Sequence, residues 1–455
     1  MSTRLFGTNG IRGVINQELT PQFLLDIGMA IGAHFKQSEI IVACDARTSS
    51  QMVKSAITSS LLASGCNVHD AGTIPTPSLQ YAVSRRGFAG GVMITASHNP
   101  APFNGIKVIG PDGVEVERKT EEKIERIYAE RNFQLKPWNQ VGEEFPFTEA
   151  LELHKRGVLK QIEPKRIAKA KLKVMIDPGN GVGTLITPYL LRDLGCKVYT
   201  MNSDLDGTFP GRQPEPTPEA LAGLSKAVKA VGADLGIAHD GDADRCIFVD
   251  EKGEAYYGDK SFALIADWFL THNPGEKIVA TFNCSKAIPD IAAKHGGKII
   301  WTKVGAITVS RTVIETGAKL GGEENGGVFY APHQPVRDGT MTASLMLQIL
   351  AERGKPLSKL MAELPRYYVN KGKVPCKNEL KEKVLSKLLI QASNLKTETL
   401  DGVKIWAEKD SWILLRPSGT EPVFRLYAES TQPKKAEQLV HEYQDKLTKI
   451  IHDAG

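Results

Sequence analysis

Asp240, Asp242 and Asp244 alternate with Gly241 and Ala243 and are followed by Arg245. In an extended loop, side chains at i, i+2 and i+4 share one side, so the three carboxylates can converge on a point. Carboxylates that close repel unless a cation lies between them, and a hard ion with oxygen ligands, Mg²⁺ first, suits such a set. An EF-hand does not fit, because the glycine and the distal glutamate of that loop are not at their places. An acidic surface turn is the plain alternative, although the apolar runs Leu235-Gly-Ile-Ala and Cys246-Ile-Phe-Val bracket the loop. Arg245 could hold a phosphoryl oxygen or pair with an aspartate.

A second candidate is Thr95-Ala96-Ser97-His98-Asn99-Pro100, which follows Gly91-Val92-Met93-Ile94. A strand delivers one reachable hydroxyl, Ser97, to a loop mouth, with His98 and Lys107 near enough in sequence to hold an anion or move a proton. The same residues also suit an ordinary turn. The run Arg416-Pro-Ser418-Gly419-Thr420, with Arg425 on the next strand, combines two arginines, two hydroxyls and a permissive backbone into a phosphate cradle, or a turn. Glu323, Glu324 and Asn325 in a glycine-flanked run offer the hydrogen-bond partners that sugar hydroxyls need. Arg12, in the glycine-punctuated loop Phe6-Gly-Thr-Asn-Gly-Ile-Arg-Gly13, and Lys303 are further cations that read as ligand contacts or as surface charges.

Elements that could position these groups recur along the chain. A strand at 40–44, a helix over 52–64, a strand at 66–69, a helix over 77–85 and a strand at 91–94 form a βαβαβ unit. The pattern returns over 173–238 and again over 277–321, with Gly65-Cys-Asn-Val matching Gly195-Cys-Lys-Val and with Gly87, Gly232 and Gly317 opening the third strand of each copy. Open α/β sheets bind ligands at the carboxyl ends of their strands. The three copies therefore present the serine, the aspartates and the Glu-Glu-Asn run from equivalent places. Past residue 368 the repeat ends and a smaller α+β domain begins. The expected fold is α/β with four domains: three diverged βαβαβ mixed-sheet units, at 1–150, 151–252 and 253–367, and a C-terminal α+β domain at 368–455, around a central cleft.

Composition narrows the function classes. The chain has 455 residues, 41% hydrophobic and 24% charged, and its 57 basic against 52 acidic residues leave only +5, with no basic run interleaved with aromatics. Nucleic acid is not an expected partner. Six cysteines, Cys44, Cys66, Cys196, Cys246, Cys284 and Cys376, lack any Cys-x-x-Cys pair and read as reduced core thiols. Without a signal-like start or a long apolar run, no membrane association is expected, and the compartment is read as cytoplasmic.

Taken together and in order, these four loops are similar to those of the α-D-phosphohexomutases, the group containing phosphoglucomutase, phosphomannomutase and phosphoglucosamine mutase. The resemblance runs from Gly10-Ile-Arg-Gly13 to Arg416-Pro-Ser-Gly-Thr-Glu-Pro422. It implies that Ser97 is the phosphorylated serine and that Asp240, Asp242 and Asp244 hold Mg²⁺ together with a phosphoserine oxygen. His98, Lys107, Arg12 and Arg245 would assist transfer, Lys303, Glu323 and Asn325 would contact the sugar phosphate, and Arg416, Ser418, Gly419, Thr420 and Arg425 would bind the non-reacting phosphate. A hexose phosphate substrate and a hexose 1,6-bisphosphate activator are implied, with no nucleotide cofactor. Many bacterial members have serine where this chain has Asn325, and histidine where it has Gly327. The expected activity is a dual phosphomannomutase and phosphoglucomutase, with phosphoglucosamine mutase as the alternative. A metal-dependent sugar phosphatase and a non-catalytic sugar-phosphate-binding protein are the readings from other classes.

Overall fold

A computed structural model describes residues 4–419 and 421–454. It contains four sheets, and the first three share one plan. In the first, Glu39–Cys44 pairs in parallel with Asn67–Thr73 and Gly90–Ile94, and Phe103–Ile109 then runs antiparallel beside Gly90–Ile94. In the second, Lys173–Asp177 pairs in parallel with Lys197–Thr200 and Leu235–His239, followed by antiparallel Cys246–Asp250. In the third, Lys277–Thr281 pairs in parallel with Lys298–Thr302 and Leu320–Gly322, followed by antiparallel Val328–Tyr330. Each candidate loop is thus the short connection from the third parallel strand to an antiparallel return. Both ends of such a connection are hydrogen-bonded into a sheet, which fixes where its side chains point.

The first sheet is extended at both edges, by Glu144–Pro146 and by Ile11–Val14. The segment 6–13, expected as a loop, is therefore partly strand: Arg12 lies opposite Gly105 in an antiparallel ladder. Gly10, at φ +78°, permits the approach, because a Cβ there would come within 2.4 Å of the Ile106 carbonyl oxygen. The strand aims Arg12 toward the serine loop.

The second and third units are not packed as separate bodies. One apolar cluster runs from Val174, Leu235 and Phe248 through Phe262 and Ile265 to Ile278, Leu320 and Leu345. Helix Gly339–Arg353 is buried along its first twelve residues, and its start is capped by Asp338, whose carboxylate accepts the Met341 N–H at 2.9 Å. An apolar helix of this kind belongs between layers rather than on a surface.

The fourth sheet is antiparallel, in the order Tyr368–Pro375, Val423–Ser430, Ser411–Pro417, Val403–Glu408, Thr397–Glu398, and helix Pro433–His452 covers it. Its junction with the third unit is built around Lys404. The buried ammonium donates to the Phe282 carbonyl at 3.3 Å and lies 3.8 Å from the Trp412 ring centroid, with Phe282, Trp301 and Trp406 also within 6 Å. Burial pushes the ammonium down to about 8, with Glu429 and Glu398 pulling it back up.

Because the folded value lies below the ordinary 10.5, the buried charge destabilises the junction below about pH 8. Stability rises between there and about pH 10.5, where only the unfolded chain keeps the proton. The four rings offset part of that penalty. Lys404→Met, which keeps the apolar stem, is predicted to raise the thermal midpoint at pH 7 by the equivalent of about 1–2 kcal/mol. Scanning calorimetry of both proteins should show the difference vanish by about pH 10.

Candidate active site

Ser97 follows strand Gly90–Ile94, is fully buried and has φ +50°, a left-handed conformation uncommon outside glycine and asparagine. Its hydroxyl donates to Asp240 Oδ2 at 2.8 Å and lies 3.4 Å from His98 Nδ1. Gly241 makes this apposition of the first two units feasible, since a Cβ there would meet the Ser97 carbonyl oxygen at 2.5 Å.

All three aspartates are buried, and one oxygen from each lies within 4.8 Å of the others. Asp240 Oδ1 accepts the Arg245 N–H. Asp242 Oδ2 accepts from Thr76 Oγ1 at 2.6 Å and Lys107 Nζ at 2.8 Å. Asp244 Oδ2 accepts from Lys107 Nζ at 3.2 Å and from the Arg337 guanidinium. Oδ1 of Asp242 and Oδ1 of Asp244 have no hydrogen-bond partner among the described residues. Orphaned carboxylate oxygens beside a third carboxylate are the donor set a hard divalent cation needs, so these residues fit Mg²⁺.

The electrostatics agree. Burial, with repulsion from Asp244 and Asp242, holds the Asp240 carboxyl well above the usual carboxylate range. Burial would pull the Lys107 ammonium down, but Asp242 and Asp244 outweigh it and raise it. His98 is held well below its ordinary value by burial and by Arg245, Arg12 and Arg337, so its imidazole is neutral near pH 7. Arg12 donates to Asn99 Oδ1 at 2.7 Å, and burial brings it down to about 10 against the pull of Asp242. Arg245 Nε is buried without a hydrogen-bond partner among the described residues, 3.8 Å from both Asp240 and Asp244, so its donor could serve an anion.

From the third unit, buried Glu323 accepts from Arg337 Nη1 at 3.3 Å, and Asn325 Oδ1 accepts the Gly327 N–H at 3.1 Å. Neighbouring Glu324 is ion-paired with Lys371 of the fourth sheet. Lys303 is exposed, just past strand Lys298–Thr302.

In the fourth domain, Arg416 and Arg425 face each other across the ladder between Ser411–Pro417 and Val423–Ser430. Like charges directly opposite are unfavourable unless an anion or carboxylates compensate. Here Asp401 pairs with Arg416 at 2.6 Å and Glu421 with Arg425 at 2.5 Å. Ser418 is buried, Gly419 lies 3.6 Å from Thr8 Oγ1 when measured from a Cβ position, and Thr420 lies outside the described residues.

Four residues outside the sequence-based set reach the site: Arg47, Thr76, Arg337 and Lys381. Lys381 donates to the carbonyls of Ser418 and Glu421 at 2.5 and 2.6 Å. Arg337 joins Asp244 of the second unit to Glu323 of the third. The one sequence signal for it is Arg337-Asp338-Gly339 at the start of an apolar helix.

With this geometry in view, likeness to known proteins is informative. Residues 3–135, 153–253 and 257–368 match domains I, II and III described as "Phosphoglucomutase/phosphomannomutase, alpha/beta/alpha", and residues 358–446 match the C-terminal domain of that family. The chain is 43% identical over 455 residues to a phosphoglucosamine/phosphogalactosamine mutase of Sulfurisphaera tokodaii, covering 98% of this chain and 99% of that one. It is 41% identical over 458 residues to a phosphoglucomutase/phosphomannomutase of Thermococcus kodakarensis, covering 99% of each. A crystal structure of a phosphoglucomutase/phosphomannomutase family protein from Burkholderia thailandensis superposes with a TM-score of 0.89 at 28% identity, covering 100% of this chain and 99% of that one.

Mg²⁺ is predicted to raise the thermal midpoint of the protein by several degrees at about a hundredfold excess over Kd. Asp240→Asn, which removes one of three repelling charges, should melt higher than the parent in chelator and gain little from Mg²⁺. A shift with Mg²⁺ as large in Asp240→Asn as in the parent would count against the aspartates as ligands.

Proposed function

This chain belongs to the phosphoglucomutase/phosphomannomutase family, and we propose that it interconverts hexose 1-phosphates and hexose 6-phosphates with Ser97 as the phosphoryl carrier. The observation that carries this reading is the buried contact of Ser97 Oγ with Asp240 at 2.8 Å, beside an aspartate cluster with two orphaned oxygens. In the phosphorylated enzyme the bond from Ser97 Oγ to phosphorus breaks as a sugar hydroxyl forms a new one. The proton of that hydroxyl passes to the neutral His98 imidazole. From His98 Nδ1, 3.4 Å away, it returns to the serine oxygen, so atoms and charge balance. Arg245, Arg12 and Lys107 supply fixed positive charge around the transferring oxygens, preorganised rather than recruited from water. Mg²⁺ held by Asp240, Asp242 and Asp244 would neutralise further charge there. The product of this half-reaction is a hexose 1,6-bisphosphate, which turns end over end and returns its other phosphoryl group to Ser97. The same bisphosphate, bound from solution, would serve as activator.

The arginine pair Arg416 and Arg425, with Ser418, Gly419 and Thr420, is assigned to the phosphate that is not reacting. Two guanidiniums read phosphate geometry without reading which end of the sugar carries it, and this tolerance is what a turning intermediate requires. Glu323, Asn325 and Lys303 are assigned to the sugar phosphate. Complete burial of Ser97 supports a phosphoserine kept from water. The six cysteines are buried and free of disulfides, which supports a reducing, cytoplasmic setting. No helix among the described residues is long and apolar enough to cross a membrane.

For the substituent at C2 we favour a neutral hydroxyl, hence glucose and mannose phosphates. Both carboxylates of the sugar loop are already compensated, Glu323 by Arg337 and Glu324 by Lys371, so neither awaits an ammonium group. The second reading, a hexosamine phosphate, is favoured by the name of the 43%-identical relative.

Initial rates with Mg²⁺ and a trace of hexose bisphosphate on glucose 1-phosphate, mannose 1-phosphate and glucosamine 1-phosphate, following 6-phosphates and free phosphate, separate these. Comparable kcat/KM on the first two is expected. A preference for glucosamine 1-phosphate of about a hundredfold, roughly 2.7 kcal/mol, would establish the second reading. Ser97→Ala should lower turnover by about 10⁴-fold or more. Steady release of free phosphate without a 6-phosphate product would mean a hydrolase.

A further inference from the structure

Ser97 is held at both of its backbone polar groups by one buried ion pair. Asp45 and Arg47 lie just past strand Glu39–Cys44, and both side chains are fully enclosed, with Arg47 Nε 3.1 Å from Asp45 Oδ2. Arg47 Nη2 donates to the carbonyl oxygens of Ser97 at 2.9 Å and Asn99 at 2.6 Å, and Nη1 donates to those of Pro100 at 2.8 Å and Phe103 at 3.0 Å. A guanidinium has five N–H donors in a fixed plane, and all five are spent here: four on the loop and one on Asp45. Asp45 reaches the other side of Ser97. Its Oδ2 accepts from Thr95 Oγ1 at 2.6 Å, and that oxygen in turn accepts the Ser97 N–H at 2.8 Å. Asp45 Oδ1 is fixed by Ser50 Oγ and by the Arg47 N–H, and the Arg47 guanidinium is covered by the Phe209 ring of the second unit, 5.0 Å from its centroid.

The geometry points to Asp45 and Arg47 as positioning residues for the phosphoryl-carrying serine, acting through the 97–103 loop and through Thr95 without touching substrate; this rests on the mutase reading above. The backbone at Ser97 is left-handed, and a serine does not rest there unless its surroundings over-determine it. Five planar donors that match four carbonyls and one carboxylate admit a single loop path. A lysine, with three donors at one point, cannot reproduce that fork. Because phosphoryl transfer depends chiefly on alignment of the attacking and leaving oxygens, loosening this loop should slow chemistry while leaving ground-state binding, which is assigned to the distant arginine pair, largely intact.

The test compares the parent with Arg47→Lys, Arg47→Ala and Thr95→Val, each checked for folding by circular dichroism and melting. In all three, kcat is expected to fall by about a hundredfold, with KM for glucose 1-phosphate unchanged to within about threefold. Millimolar guanidinium, added where both variants are fully folded by circular dichroism, should restore part of the kcat of Arg47→Ala and none of that of Thr95→Val. A kcat in Arg47→Ala equal to the parent's would overturn the assignment. So would a loss that guanidinium does not relieve and that follows the fraction unfolded. Thr95→Val, which keeps the ion pair, settles the matter if the Arg47 variants do not fold: parental kcat there removes the link to the Ser97 N–H. If the parent itself makes no 6-phosphate, the mutase reading fails first, and separately.

Discussion

Three buried carboxylates lie within 4.8 Å of one another, and cations from three parts of the chain converge to compensate them. No such group is stable in a protein interior without compensating charge, because desolvation and mutual repulsion act in the same direction. The compensation comes from three separate parts of the chain. Lys107 of the first unit lies between Asp242 and Asp244, Arg245 follows the triad in its own loop, and Arg337 of the third unit closes on Asp244. The cluster therefore binds the units together as much as it would bind a cation. What remains unsatisfied, Oδ1 of Asp242 and Oδ1 of Asp244, is what a divalent ion would use.

The repeated plan of the first three sheets explains how loops far apart in sequence meet. Each unit sends its third parallel strand toward the centre and returns an antiparallel one, so the connection between them is pinned at both ends. The shared core of the second and third units fixes the aspartate loop relative to the loop that carries Glu323 and Asn325, and Arg337 spans that junction. The fourth domain is joined differently, through an aromatic cluster around one buried lysine and through the Lys371–Glu324 pair. A junction that rests on a desolvated ammonium is weaker than an apolar one. Under the proposed function, that suits a domain whose arginine pair would take up and release a turning intermediate.

Much of this was legible in the sequence because it is local. Alternation placed Asp240, Asp242 and Asp244 on one side, and strand periodicity placed Ser97 at a strand end. The repeat put these loops at equivalent strand ends, and the family resemblance implied that they line one cleft; Ser97 and Asp240 touch. What was not legible depends on distance along the chain. Arg337 is 14 residues from Glu323 and 93 from Asp244, and the Arg337-Asp338-Gly339 run marks a helix start without pointing to either partner. Arg47 sits in a run, Asp45-Ala-Arg47, that would suit any surface turn; only the path of the 97–103 loop reveals its five bonds. The N-terminal segment read as a loop because its glycines suit turns. Gly10 instead lets strand Ile11–Val14 approach its neighbour. Lys303 is exposed, and a lone lysine after a strand looks the same whether it meets a ligand or solvent.

If Ser97 carries the phosphoryl group between the two ends of a sugar, a labelled phosphoryl group must move through it within a single turnover. Enzyme labelled at Ser97 with ³²P, freed of excess bisphosphate and mixed with unlabelled glucose 6-phosphate in Mg²⁺, should pass its label to hexose bisphosphate and then to glucose 1-phosphate within one turnover. Label recovered only as inorganic phosphate, or a protein that takes up no label while still isomerising substrate, would mean that Ser97 is not the carrier.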